Sequence, residues 1–212
     1  MNKKIIIVFL LILILGAGAW LYHTQFGQPK IDLNIYQTLG SVTAEETAKL
    51  LGNNGDIVVV SWKTHNKSPV VDAQIASLAR GIKKHKGLRI AASEKVERDP
   101  AQMMATGGAV PTEEFLKIVK AHPEAEAFVL FLAFPNLLPQ ALETITKGQT
   151  KFVVVSGCNP GYKKLLLDRT ISLAIVPQFD RTKNTRPPQT SQEVFDQNYL
   201  IITPEQANAL PY

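Results

Sequence analysis

Five short, mainly apolar runs recur along the chain, the first of them entirely β-branched, and they restrict its fold more than any other feature. The first run, at 57–60, reads Ile-Val-Val-Val and has no polar residue that would face solvent. A strand that is apolar on both sides is typical of a parallel sheet covered by helices on both faces. The other runs, at 88–92, 128–133, 152–155 and 171–176, are also short and mainly apolar. The pattern therefore predicts about five buried strands.

Amphipathic helical patterns separate these runs. The clearest lies at 70–84, where Ile75, Leu78 and Ile82 repeat at helical spacing. Parallel strands require such crossovers, which are right-handed and place helices on both faces of the sheet. The predicted fold is therefore α/β, a doubly wound open parallel sheet of about five strands. The other predicted helices are at 43–51 with Thr43 as the N-cap, at 111–121, at 138–146 and after Asn159-Pro160.

The length of 212 residues allows one domain with a real core and a short appendage. We divide the chain into a signal-anchor or signal peptide at 1–24, a tether at 25–40, a single α/β domain at 41–180 and a C-terminal extension at 181–212 that packs on the domain. The extension contains one more apolar segment, 199–202, which is either an edge strand or a strap across the domain.

The N-terminal segment indicates the cellular location of the protein. Lys3 and Lys4 precede an apolar run at 5–15, and small residues follow at 16–19, where cleavage after Ala19 would release the body to the periplasm. The run continues through Trp20-Leu21-Tyr22, and this length and aromatic end favour retention as a single-pass anchor. In both cases the lysines stay in the cytoplasm, so the body lies on the periplasmic or extracytoplasmic side of the cytoplasmic membrane.

Charge and reactive side chains disfavour several classes of function. The formal net charge is only +5 and no nucleic-acid motif is present, so nucleic-acid binding is not expected. The four histidines form no i,i+4 pair, and no glycine-rich phosphate loop follows the first run, so we predict neither a metal site nor a cofactor. The single cysteine, Cys158, lacks the spacing of a strand-elbow nucleophile, and the protein is predicted not to be an enzyme.

Six phrases of the sequence fall between about residue 41 and residue 205. They are AEETAKLLG at 44–52, GDIVVV at 55–60, AHPEAEA at 121–127, KFVVV at 151–155, AIVPQ at 174–178 and YLIITPE at 199–205. In this order and at this spacing, they resemble the C-terminal lobe of type I periplasmic sugar-binding proteins. The resemblance implies a periplasmic-binding-protein-like domain that binds a sugar or a similar solute.

The ligand site of such a sheet lies beyond the carboxyl ends of the strands, near the point where the strand order reverses. We predict that the ligand-binding residues at these ends are Ser61, Trp62, Asn136, Asn159 and Gln178. Gln178 stands where the resemblance implies a polar ligand contact. Trp62 has two open interpretations, because a tryptophan there can stack on a sugar ring or simply cover the edge of the sheet.

Two departures from the family pattern bear on function. The membrane segment stands where the family has its whole N-terminal lobe, so the chain resembles half of a clamp. The resemblance also implies an Asn-Asp pair after the third strand and an Asp after the fourth, whereas 133–136 reads Ala-Phe-Pro-Asn and 156–159 reads Ser-Gly-Cys-Asn. A sugar would lose charge-assisted hydrogen bonds of roughly 1.5 to 3 kcal/mol each.

Two hypotheses follow. The first is a membrane-anchored, single-lobe binding module for a small, sugar-like solute, in which a homodimer would supply the missing second wall. The alternative is a structural or interaction protein that has lost its ligand site and binds a membrane protein partner.

Overall fold

The chain forms two compact units, Met1–Asp32 and Leu33–Tyr212, and we call the second unit the body. The computed structural model describes residues 3–25, 31–63, 68–97, 104, 108–146, 149–155, 161–178 and 186–210. In the first unit, Lys3–Gln25 forms helix α1, and its segment Lys4–Tyr22 is 19 residues long with a mean hydropathy of 2.7. None of that segment is buried against protein. The length and composition of α1 are those of a helix that crosses a membrane. A cleaved signal sequence has the same properties.

The body is built around a six-stranded sheet whose strand order is β2-β1-β3-β4-β5-β6. Strands β1 to β5 are parallel, as the sequence predicts, and β6 pairs antiparallel with β5. The segment at 199–202 is therefore an edge strand. The strands are β1 Asn54–Lys63, β2 Gly87–Glu97, β3 Ala127–Leu130, β4 Lys151–Val155, β5 Leu173–Pro177 and β6 Tyr199–Ile202.

Helices cover both faces of this sheet, which confirms the doubly wound prediction. Alternate residues of β1 point to opposite faces, so Val58 and Val60 enter one buried cluster while Ile57 and Val59 enter the other. The first cluster includes side chains of α4, α5 and α6, and we call this side the α4 face. The second includes side chains of α2, α3 and α7, and we call it the α2 face. The helices are α2 Asn34–Leu50, α3 Pro69–Ile82, α4 Thr112–Ala121, α5 Pro139–Thr146, α6 Tyr162–Leu167, α7 Ser191–Asn198 and the 3-10 helix Pro204–Ala209.

Helix α2 begins nine residues before the predicted start, at Asn34 instead of Thr43. The prediction of Thr43 as an N-cap is wrong, because Thr43 lies inside the helix and its hydroxyl donates to Leu39 O at 2.7 Å. Residues 34–40, which the sequence pattern assigned to the tether, are helical. The early part of α2 was missed because its sequence, Asn-Ile-Tyr-Gln-Thr-Leu-Gly, has a weak apolar repeat.

Helices α2 and α3 approach closely through two glycines. A Cβ atom added to Gly40 would lie 2.2 Å from Gln74 O, and one added to Gly81 would lie 2.4 Å from the Cβ of Ala44. Neither distance can be tolerated without a shift of the helix backbone. The absence of side chains at Gly40 and Gly81 therefore allows α2 to pack close to α3 on the α2 face.

Candidate functional site

The carboxyl ends of the parallel strands form one edge of the sheet, which we call the carboxyl edge. The strand order reverses between β1 and β3, because the chain moves from β1 to β2 on one side and continues with β3 on the other. Pairing of β1 with β3 ends at Val60 and Leu130, but pairing of β1 with β2 continues to Lys63 and Glu97. A two-stranded ribbon thus projects beyond β3 at the place where doubly wound sheets bind ligands.

Ser61 and Trp62 lie on this ribbon and point to opposite faces. Ser61 is 1% exposed, and its Oγ has no hydrogen-bond partner among the residues that the structure describes. Trp62 is half-buried and packs against the buried cluster of the α4 face. A buried hydroxyl without a partner costs about 1 to 3 kcal/mol, so Ser61 is the side chain of the ribbon that a ligand group would most stabilise.

The loop after β3 turns its apolar residue inward. Phe134 is fully buried, with its ring centroid 5.3 Å from that of Phe115 and 5.6 Å from that of Phe152. Its backbone N–H donates to the phenol oxygen of Tyr162 at 3.2 Å. Asn136 is exposed, and its carbonyl oxygen accepts a hydrogen bond of 3.3 Å from the Thr112 hydroxyl. Where the resemblance implies two polar ligand contacts, this loop therefore offers one exposed amide and one core aromatic ring.

A short segment before α4 continues the core beyond the end of β3. Ala109 forms a parallel bridge with Ala133, and Val110 N–H donates to Ala133 O at 3.3 Å. Val110 and Ala109 are both buried, as is Val96 on the ribbon. On the α4 face, the reversal point is thus filled by apolar side chains of the chain itself.

Gln178 lies at the other end of the carboxyl edge. It follows β5, is half-buried, and its backbone N–H donates to Asn198 O at 2.8 Å. Three strand spacings separate β1 from β5, so Ser61 and Gln178 are about 14 Å apart across the sheet. Asn159, together with Cys158, lies outside the described residues. No hydrogen bond joins any two of Ser61, Trp62, Asn136 and Gln178 in the part of the chain that the structure describes.

Titratable groups of the described residues form pairs rather than a catalytic or metal cluster. His122 Nε2 lies 2.7 Å from Glu94 Oε1, where the end of α4 meets β2. No three His, Cys, Asp or Glu side chains within the described ranges are placed to hold a metal ion. At the opposite edge, a hydrogen bond from Arg89 holds the pKa of Asp56 below its ordinary value. The sequence did not indicate the contacts of Tyr162, Thr112 or His122, because each joins residues 24 or more positions apart.

The structure is similar to solved sugar-binding proteins. It matches the arabinose-binding protein AraP of Geobacillus stearothermophilus at 13% identity and a TM-score of 0.58, over 84% of this chain and 63% of that chain. It matches the glucose-galactose binding protein GanP of the same organism at 15% identity and a TM-score of 0.55, over 84% and 62%. A chain of the XylFII-LytSN complex matches at 16% identity and a TM-score of 0.54, over 82% and 60%.

The body shares the fold of part of these solute-binding proteins. At such low identity the likeness is one of fold, and it confirms the fold that the sequence phrases imply. The chain spans less than two thirds of the length of the solute-binding proteins that it matches. No protein-family model and no curated protein sequence matches this chain.

Proposed function

We propose that this chain is an extracytoplasmic binding module of the solute-binding-protein type, with a single lobe, which binds a small, sugar-like solute at its carboxyl edge. The observation that carries the proposal is the likeness in fold, over 84% of the chain, to proteins named for binding arabinose or glucose and galactose. Ser61 supports it independently, because its buried Oγ stands without a described partner at the reversal point. The chain acts as a binding protein and not as an enzyme.

The proposed ligand contacts are neutral groups. The hydroxyl of Ser61 and the amides of Asn136, Asn159 and Gln178 would donate to and accept from solute hydroxyls, and Trp62 would border the site. A neutral hydrogen bond contributes about 0.5 to 1.5 kcal/mol, against roughly 1.5 to 3 kcal/mol for one that involves a charged group. We therefore expect weaker sugar binding than a site with carboxylates would give.

The proposed location is the outer face of the cytoplasmic membrane. Helix α1 would serve as the single-pass anchor, with Lys3 and Lys4 in the cytoplasm, or would direct secretion to the periplasm if it is cleaved after Ala19. A homodimer would place a second carboxyl edge opposite the first and so supply the second wall that a clamp requires.

Thermal unfolding of the full chain in detergent micelles, with L-arabinose, D-glucose and D-galactose as probes, tests the proposal. A ligand present at about 100 times its Kd adds about 2.7 kcal/mol of stability. For a body of this size, that is a shift in Tm of about 5 to 10 °C. We expect Ser61→Ala or Gln178→Ala to reduce the shift, while Ser93→Ala, an exposed serine on β2, serves as the matched control. No shift with any of the three sugars would contradict the proposal.

The second candidate function is binding of a membrane protein partner, without a small solute. The burial of Phe134 and Val110 favours it, because these residues fill the α4 face of the reversal point. The name of one similar structure, a XylFII-LytSN complex, records a protein partner for that complex. Purification of the tagged chain from its native membranes should then yield a stoichiometric partner that stays bound when sugars are added. A chain that purifies alone as a monomer would contradict this candidate.

A further inference from the structure

Tyr162 links helix α6 to the loop after β3. It is the first residue of α6, directly after the connection that leaves β4, and its side chain is 1% exposed. Its phenol oxygen reaches across to the loop after β3 and accepts the backbone N–H of Phe134 at 3.2 Å. One buried side chain thus joins the segment that follows β4 to the segment that follows β3.

Among the described residues, a short series of contacts holds the loop after β3. The regular strand ends at Leu130, and the next residues form bends before the parallel bridge at Ala133. Beyond that bridge, the ring of Phe134 is fixed in the aromatic cluster, the N–H of Phe134 is bound by Tyr162, and the carbonyl oxygen of Asn136 is bound by Thr112. Pro135, between these contacts, is buried and has no N–H to donate.

The tyrosine hydroxyl serves this contact in a way that a phenylalanine would not. A buried phenol normally finds a hydrogen-bond partner, and a buried backbone N–H that loses its partner costs about 1 to 3 kcal/mol. Without the hydroxyl, the Phe134 N–H would lose its acceptor or the loop would move to find another. Such a movement would displace Asn136, which is two residues further along the chain.

We infer that Tyr162 is a positioning residue, which sets the place of Asn136 at the carboxyl edge by holding the backbone of Phe134. The inference rests on the proposed function only in its claim that Asn136 contacts a ligand. The positioning itself is a property of the loop and can be measured without any ligand.

Amide hydrogen exchange of the full chain in detergent micelles tests the inference with Tyr162→Phe. The variant keeps the ring, so the aromatic packing is retained. Loss of one hydrogen bond should accelerate exchange at the amide of Phe134 by about 5-fold, since such a bond contributes about 1 kcal/mol. If the loop moves, exchange should also accelerate at the amide of Val110, whose N–H donates to Ala133 O of the same loop. Amides in the centre of the sheet, such as those of Val129 and Val153, should change much less.

Thr43→Val is the matched control, because it also removes one buried hydroxyl, which donates to Leu39 O on the other face of the sheet. It should not accelerate exchange at Phe134 or Val110 more than elsewhere. Unchanged exchange at Phe134 in Tyr162→Phe would overturn the inference, and so would an equal acceleration throughout the body. If L-arabinose shifts the Tm of the wild-type chain, Tyr162→Phe should reduce that shift. If no sugar binds, the proposed function fails while the exchange experiment still decides the positioning role.

Discussion

At the scale of single residues, Asp56 and Arg89 form a two-point ion pair between β1 and β2. Arg89 Nε donates to Asp56 Oδ1 at 2.9 Å, and its Nη2 donates to the second carboxylate oxygen. The two residues face each other in register on β1 and β2, at the amino ends of the strands. A forked pair of this geometry fixes the relative position of two strands more firmly than a single contact does. The pair therefore stabilises the start of the sheet, far from the proposed ligand edge.

The Asp56 pair predicts how stability depends on pH. The hydrogen bond from Arg89 lowers the pKa of Asp56 below its ordinary value of 3.8. A carboxylate with a lowered pKa in the folded state adds stability above its unfolded pKa, and this contribution is lost as the pH falls through its folded pKa. The Tm of Asp56→Asn should thus lie below that of the wild type at pH 6 and should converge with it as the pH falls below 3.8 and through the lowered pKa of the folded state.

Melting curves of both chains between pH 2 and pH 7 measure this convergence. Arg89→Gln is the partner control, because it removes the same contact from the other side and should give the same convergence. Curves of wild type and Asp56→Asn that stay parallel over the whole range would show that the pair has no linkage to protonation.

At the scale of elements, the distance between α2 and α3 depends on the two glycines at their contact, Gly40 and Gly81. The two helices make a large part of the α2 face, and Gly40 and Gly81 lie on their contact line. Larger residues at these positions would push the helices apart and open the cluster that holds Leu39 and Leu78. Packing here is therefore set by the absence of side chains as much as by their presence.

Gly81→Ala should destabilise the body although alanine is the better helix former. The gain in helix propensity is about 1 kcal/mol, whereas overpacking costs typically about 1 to 3 kcal/mol. The new Cβ would lie 2.4 Å from the Cβ of Ala44, which has no freedom to move aside. Chemical denaturation should show a lower free energy of unfolding for this variant.

The double variant Gly81→Ala with Ala44→Gly is the matched control for that contact. It exchanges the two side chains and restores the space between the helices, so it should recover stability relative to the sum of the single variants. Strict additivity of the two single effects would indicate that the contact does not limit the packing.

At the scale of the whole molecule, the two units differ in how many apolar side chains they expose. The segment Lys4–Tyr22 of α1 is apolar and exposed throughout, whereas the body buries most of its described large apolar side chains in two clusters. A helix of 19 residues is about 28 Å long, close to the thickness of the hydrocarbon core of a bilayer. The composition of the two units thus suits two different solvents.

We expect α1 to be retained as an anchor. The chain produced in a bacterial host should stay in the membrane fraction after an alkaline wash, with the intact mass of 23.3 kDa. Ala19→Arg, which would block cleavage after position 19, should change neither result. A shorter soluble product of the wild type that disappears in Ala19→Arg would instead identify α1 as a cleaved signal.

The sequence predicted the elements of the fold well because their signals are local. Runs such as 57–60 and 152–155 need helices on both sides wherever they pair, and the amphipathic repeat at 70–84 requires a face to pack on. The early half of α2 was missed because its sequence at 34–40 has a weak apolar repeat, although it packs closely on α3 in the structure. The sequence could not show whether Phe134 faces the carboxyl edge or the core, because that depends on Phe115 and Phe152, which are distant in the sequence. The five predicted ligand contacts stay predictions.

By itself, the sequence determined that the chain has an apolar, membrane-length N-terminal helix and alternates buried parallel strands with helices, because periodicity and apolar runs are properties of neighbouring residues. The tertiary structure alone decided the strand order, the burial of Ser61 without a described hydrogen-bond partner, and the inward turn of Phe134 under Tyr162. These features follow from pairing and packing between residues far apart in the chain. The energy of such contacts exists only once the sheet has formed.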